Sequence, residues 1–150
     1  MNERLKKLIE ELCALPGPSG YEGPVAAYMQ EQFKPHADAC YIDQAGNSIA
    51  RFDGTSGRTI VVCGHMDEVY YVVNRIQDGF ITVRPGCHLD PSNADSVPVQ
   101  VLTEKGIVNG LFGSTTAHLK QWEKPCELFI DVGGNTDGIL PGDAVIYAPN

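Results

Sequence analysis

The sequence predicts an α/β opening followed by a small β-rich barrel or sandwich, and three observations carry that expectation. Helical periodicity fills the stretch from Leu5 to Phe33. An apolar, β-branched run, Thr59 to Cys63, stops abruptly at Gly64 and the polar-rich segment His65-Met66-Asp67-Glu68. Beyond Glu68 the chain becomes a series of short apolar runs separated by turn residues, a pattern of all-β units. The change falls just after the polar-rich segment and divides the chain into residues 1–70 and 71–150.

Each element has its own signature. Leu5, Leu8, Ile9, Leu12 and Leu15 follow the helical period, with Glu3, Lys6, Lys7, Glu10 and Glu11 on the other face. Pro16-Gly17-Pro18 ends that helix. A second starts near Pro24, a residue suited to a first turn, and turns Val25, Tyr28, Met29 and Phe33 inward before Pro35 closes it. Ser19 and Glu22 have capping-box spacing, which leaves the start of this helix open. Ala39–Ile42 and Ser48–Phe52 flank Asp43-Gln44-Ala45-Gly46-Asn47 as a hairpin. Thr59 to Cys63 then reads as a buried strand. Further strands are expected at Val69–Asn74 and Phe80–Val83 around Asp78-Gly79, and at Val97–Leu102 and Ile107–Phe112 around Glu104-Lys105-Gly106. Cys126–Val132 and Ala144–Tyr147 complete the set.

Composition narrows the function. A hydrophobic content of 43% supports a real core rather than a disordered tail. The net charge of -8, from 19 acidic and 11 basic residues, argues against a nucleic-acid-binding surface, because phosphate contacts require clustered Lys and Arg. No run approaches the roughly 18 apolar residues of a membrane span, and the first residues lack a signal-peptide core. The expectation is therefore a soluble cytoplasmic protein without membrane or nucleic-acid partners. Five scattered cysteines, an odd number, fit reduced thiols better than a disulfide framework.

The chemistry concentrates where the Thr59 run stops. Open α/β sheets place their sites beyond the carboxyl ends of strands, where backbone is fixed and a ligand has room. His65 and Asp67 are two apart and leave the same face of extended backbone. A carboxylate there accepts the N–H of one ring nitrogen and frees the other to bind a metal or move a proton.

An ordered set of short motifs extends from this point across nearly the whole chain: Gly17-Pro18-Ser19-Gly20-Tyr21-Glu22, Asp43 with Gly46-Asn47, Cys63-Gly64-His65-Met66-Asp67-Glu68, Ile76 with Asp78-Gly79-Phe80, Gly113-Ser114 ahead of His118-Leu119, and Phe129-Ile130-Asp131-Val132-Gly133. The set resembles the tetrahedral (TET-type) metallo-aminopeptidases, also labelled glutamyl or deblocking aminopeptidases or, misleadingly, endoglucanases. The resemblance implies a zinc-peptidase-like α/β catalytic domain with a paired-metal site, interrupted by a PDZ-like β-barrel that serves dimerisation and a hollow dodecamer. Residues 1–70 would open the catalytic domain and residues 71–150 would form most of the inserted one. His65 would be a metal ligand. Asp67 would be its partner in the catalytic centre, orienting the ring and tuning its basicity. The implied cofactors are two divalent ions, zinc or cobalt, and the implied partners are peptide substrates and further copies of the chain. The implied reaction is hydrolysis of an N-terminal peptide bond by a metal-activated water, with a glutamate shuttling the proton.

The family pattern also needs, beyond the inserted domain, a bridging aspartate, an adjacent Glu-Glu pair, a further carboxylate and a distal histidine. The chain reaches Asn150 before any of these, and its Glu10-Glu11 pair lies on the polar face of the first helix. A catalytic zinc typically takes three protein ligands. The expectation is a fragment or a truncated homologue, inactive alone; the alternative is a non-catalytic interaction or assembly module.

Competing readings are weaker. Cys63, His65, Cys87 and His88 have poor spacing for a structural zinc site, since adjacent Cys87 and His88 would diverge in extended backbone. Ser19 and Ser114 sit in no Gly-x-Ser-x-Gly elbow. Cys63 as a catalytic thiol is opposed by its expected burial. His118 reads as structural or interfacial, His36 as exposed after Pro35, and Asp131, Asp137 and Asp143 as turn formers beside glycines.

Overall fold

The structure, a computed structural model, describes residues 2–89, 94, 96–113 and 128–149. Ser114, His118 and Cys126 lie outside them, so the readings made for those residues have no structural counterpart. Two compact units make up the chain, residues 1–68 and residues 69–150. No helix among the described residues is long and apolar enough to cross a membrane.

The first unit contains helices α1 (Glu3–Cys13) and α2 (Gly23–Phe33) and a hairpin of β1 (Ala39–Ile42) and β2 (Ser48–Arg51). Asn2 caps α1, its side-chain oxygen accepting from Arg4 N at 3.0 Å. The apolar stripe of α1 is only half covered: Leu5 and Ile9 remain exposed. In α2, Pro24 occupies the first turn and Val25 and Ala26 are buried. Glu22 takes the N-cap position but its side chain makes no cap bond, so the capping box allowed by Ser19 and Glu22 does not form. The Gln30 amide of α2 lies over Tyr41 O, Ser48 Oγ and Ile49 O at 3.1, 2.7 and 3.3 Å, fastening the helix to the hairpin. The hairpin loop is built on Asp43, whose carboxylate accepts from Ala45 N, Asn47 N and Asn47 Nδ2, each at 2.9 Å. Those donors, the Asn47 amide first, hold the Asp43 carboxyl below its ordinary value.

Thr59 to Cys63 departs from expectation. It is neither a strand nor buried: Ile60, Val61 and Val62 are 87%, 76% and 92% exposed, and Cys63 is exposed too. The run has the right residues for an inner strand, but a strand is held by the ladders beside it. No segment among the described residues offers Thr59–Cys63 a ladder. Burial therefore gives no ground for dismissing Cys63.

The second unit is a closed barrel of six described strands: β3 (Tyr71–Gln77), β4 (Phe80–Pro85), β5 (Pro98–Thr103), β6 (Gly106–Gly113), β7 (Phe129–Asp131) and β8 (Ala144–Tyr147). Their order is β3-β4-β7-β6-β5-β8, and β8 returns to β3 through Tyr71↔Val145 and Val72↔Ala144. Asp78 and Gly79, with φ of 53° and 80°, turn β3 into β4, the double positive φ of a tight hairpin turn. Asn74 is passed over where the register shifts between Val73 and Arg75, a bulge that bends β3 into the closure.

Alternate residues point inward. Tyr71, Val73, Ile81, Val99, Val101, Phe112, Ile130 and Val145 form the core, joined by Ala94, Leu128 and Ile139. Tyr71 meets Phe112 edge-on, centroids 4.9 Å apart, and its hydroxyl pairs with that of Tyr147 at 3.1 Å, so a buried phenol keeps a polar partner. Two glycines let β6 press against β7: a Cβ on Gly110 would stand 2.6 Å from Ile130 Cγ2, and one on Gly113 2.4 Å from the Phe129 ring.

Candidate functional site

The polar-rich segment after the exposed run is anchored to the loop before α2, about fifty residues earlier in the chain. Glu68 N donates to Gly17 O at 2.9 Å, and Gly17 N donates to Glu68 Oε1 at 2.8 Å. Pro18 and Glu68 form a parallel bridge. A Cβ on Gly17 would crowd α2 and not the polar-rich segment, lying 2.8 Å from Val25 Cγ2 but 3.6 Å from Met66 O. The loop after it is a turn, with Tyr21 N donating to Pro18 O at 2.8 Å and Gly20 N to Glu22 Oε1 at 2.8 Å. At its tip Ser19 Oγ donates to Asp67 Oδ2 at 2.6 Å.

His65 completes the arrangement. Its Nδ1 lies 3.1 Å from Asp67 Oδ1 and 3.0 Å from Asp67 O. Both neighbours are acceptors, so Nδ1 carries the proton in the neutral ring and Nε2 presents a lone pair. The His65 side chain is 86% exposed and that of Asp67 41%. Hydrogen bonds from Ser19 first, then from His65, hold the Asp67 carboxyl below its usual value and keep it an acceptor. The donor set fits one nitrogen ligand of a metal with a carboxylate behind it. It does not make a complete metal site, because no group of three His, Cys, Asp or Glu side chains that could hold an ion gathers among the described residues. His36 is exposed in the loop after α2.

Two members of the arrangement belong to a motif of the sequence, but nothing there paired them with Asp67 and Glu68. Ser19 is 48 residues from Asp67, and Gly17 is 51 from Glu68. No periodicity reaches that far. The one available hint was a hydroxyl in a Pro- and Gly-rich loop whose alternative use, capping α2, competes with the proline in the first turn.

A helix-and-hairpin unit followed by a six-stranded barrel is similar to part of several solved aminopeptidases. An aminopeptidase from the archaeon Desulfurococcus kamchatkensis superposes with a TM-score of 0.86 at 31% identity, over 97% of this chain and 43% of that one. The TET1 peptidase of Pyrococcus horikoshii, described as able to assemble into a tetrahedron or a large octahedral shell, superposes with a TM-score of 0.76 at 29% identity, over 97% of this chain and 46% of that one. The chain belongs to the M42 glutamyl aminopeptidase family, whose model matches residues 46–150. Among curated relatives, the lysyl aminopeptidase of Pyrococcus furiosus is 34% identical over 137 residues, covering 90% of this chain and 36% of that protein. The chain thus spans less than half the length of these relatives.

Proposed function

We propose that these 150 residues are the opening part of a metal-dependent aminopeptidase that removes N-terminal residues from peptides. The observation that carries the reading is the His65 ring held through Nδ1 by Asp67, with Nε2 free, in a chain of the M42 family. In this reading His65 Nε2 ligates one of two divalent ions, zinc or cobalt. Asp67 fixes the ring and raises its donor strength. When bound, such ions polarise a peptide carbonyl and lower the pKa of water. The remaining ligands and the glutamate that moves the proton would come from the parts of these longer relatives that this chain does not span. The barrel of residues 69–150 would be the PDZ-like insertion, through which copies of the chain associate; the assembly described for the Pyrococcus horikoshii relative supports this.

A second reading is favoured by one observation. The barrel closes, whereas no group of three metal-ligating side chains gathers among the described residues. That is what a non-catalytic assembly module of the same ancestry would show. Release of chromophore from amides carrying a free N-terminal residue separates the two. The first reading expects no chelator-sensitive turnover by the 150-residue chain, and turnover once the segment carrying the remaining ligands is joined to it. Substituting His65→Ala should abolish that turnover. Robust chelator-sensitive hydrolysis by the 150 residues alone would overturn the incomplete-site reading, and turnover of the joined protein that ignores His65 would overturn the ligand role.

A further inference from the structure

We propose that Ser19 is a positioning residue for the His65–Asp67 pair: its hydroxyl fixes the rotation of the Asp67 carboxylate and thereby sets which imidazole nitrogen is left free. The proposal rests on the reading of His65 as a metal ligand and concerns a residue from a different part of the chain.

The terminal torsion of an aspartate is broad, and a carboxylate as exposed as that of Asp67 has little packing to hold it. One oxygen is nevertheless held. Ser19 Oγ lies 2.6 Å from Oδ2, within the short range of an O–H donor to a carboxylate. With Oδ2 fixed, Oδ1 is directed at His65 Nδ1, 3.1 Å away. A serine hydroxyl has a single proton to donate. Here it goes to Asp67 and not to the start of α2, whose N-cap carries no side-chain bond.

The hydroxyl is also presented from a fixed support. Glu68, the residue after Asp67, exchanges two hydrogen bonds with Gly17, two residues before Ser19. The turn from Pro18 to Tyr21 closes on its own backbone bond. Ser19 and Asp67 are therefore opposed by a short loop tied at one end to Glu68, and the hydroxyl works as the last link of that tie. Asp67 O also faces His65 Nδ1, at 3.0 Å, so the backbone alone retains part of the tautomer preference. Loss of Ser19 should weaken the bias without erasing it.

The test uses the full 150-residue chain, with nitrogen-15 spectra of the His65 ring at a pH where the imidazole is neutral, followed by a zinc titration read on the same ring. Ser19→Thr and Ser19→Val form a matched pair, nearly equal in shape and differing in the hydroxyl, with Ser19→Ala as the smaller deletion. The exposed position of Ser19 and the backbone amide spectrum together guard against a folding artefact. Wild type and Ser19→Thr should show the proton on Nδ1. The alanine and valine variants should populate the Nε2–H form and bind zinc at His65 more weakly by about 3- to 10-fold, less than the 10–100-fold typical for loss of a ligand's direct partner. Equal behaviour of the threonine and valine variants, or no change in either readout for the alanine variant, overturns the proposal. Asp67→Ala separates that failure from failure of the underlying reading: if it alone shifts the ring, only the Ser19 role falls. If it too leaves the ring and the zinc affinity unchanged, the pairing of ligand and orienting carboxylate falls with it.

Discussion

Gly17 and Glu68 bind each other twice, Glu68 N to Gly17 O at 2.9 Å and Gly17 N to Glu68 Oε1 at 2.8 Å. The pair holds the loop before α2 against the polar-rich segment that carries His65 and Asp67. Glu68→Ala removes the acceptor for a buried backbone N–H and should cost about 1–3 kcal/mol of stability in the first unit. Glu68→Gln keeps an acceptor oxygen and should cost less. Gly17→Ala should cost a similar amount for a different reason, since its Cβ would meet Val25 Cγ2 at 2.8 Å and crowd the start of α2. Denaturant unfolding of the three variants checks both claims.

The barrel makes an independent prediction. Gly110 leaves no room for a side chain, because a Cβ there would lie 2.6 Å from Ile130 Cγ2 and 2.9 Å from Asp131 O. Gly110→Ala should force β6 from β7 and lower stability by about 1–3 kcal/mol, read as a lower denaturant midpoint. Substitution at Gly134, where no atom lies within 4 Å but φ is +84°, should be strained by backbone conformation alone.

Two titrations have fixed signs. Tyr28 donates its hydroxyl to Glu11 Oε2 at 2.6 Å, and that bond pushes its pKa from 10.0 up to about 12. Because the folded value is raised, the contribution of this pair is complete below about 10 and is lost as pH rises through about 12. Tyrosinate absorbance, compared with Tyr28→Phe, should locate the late-titrating phenol, and Glu11→Gln should return it toward 10.0. Asp43 runs the other way. Its folded value is lowered, so its contribution is present above the ordinary 3.8 and disappears as pH falls through the lower folded value. A carboxyl-carbon titration should show Asp43 protonating below the ordinary 3.8, and Asn47→Ala should raise it.

The exposed run predicts self-association of the 150-residue chain. Ile60, Val61 and Val62 present adjacent apolar side chains and unpaired backbone, a combination that invites pairing with another chain. Sedimentation should show concentration-dependent association, and replacing Val61 and Val62 with lysine should reduce it. A monomer at all concentrations would count against this account of the run.

The same run shows where reading a sequence stops. The helices were legible because their periods are local: α1 and α2 lie where Leu5 to Leu15 and Val25 to Phe33 put them. The hairpins were legible because Asp43 to Asn47 and Asp78-Gly79 dictate turns by themselves. Barrel closure was open between barrel and sandwich, since the pairing of β8 with β3 joins residues more than 70 positions apart. Thr59 to Cys63 was misread because β-branched composition states what suits a buried strand, not whether neighbours are present to make one. Of the candidate site, His65 and Asp67 were legible from their spacing, whereas Gly17, Ser19 and Glu68 stood out only as parts of motifs, and their pairing across the chain comes from folding.

In the proposed reading His65 is a metal ligand whose free nitrogen is Nε2. Cobalt(II) added to the chain joined to a segment carrying the remaining ligands, followed on the His65 ring nitrogens, tests this most directly. The predicted result is a saturable paramagnetic effect centred on Nε2, with Nδ1 still bonded to Asp67, and its loss in His65→Ala. Cobalt binding that leaves the His65 ring unperturbed, or that persists unchanged in His65→Ala, would contradict the account.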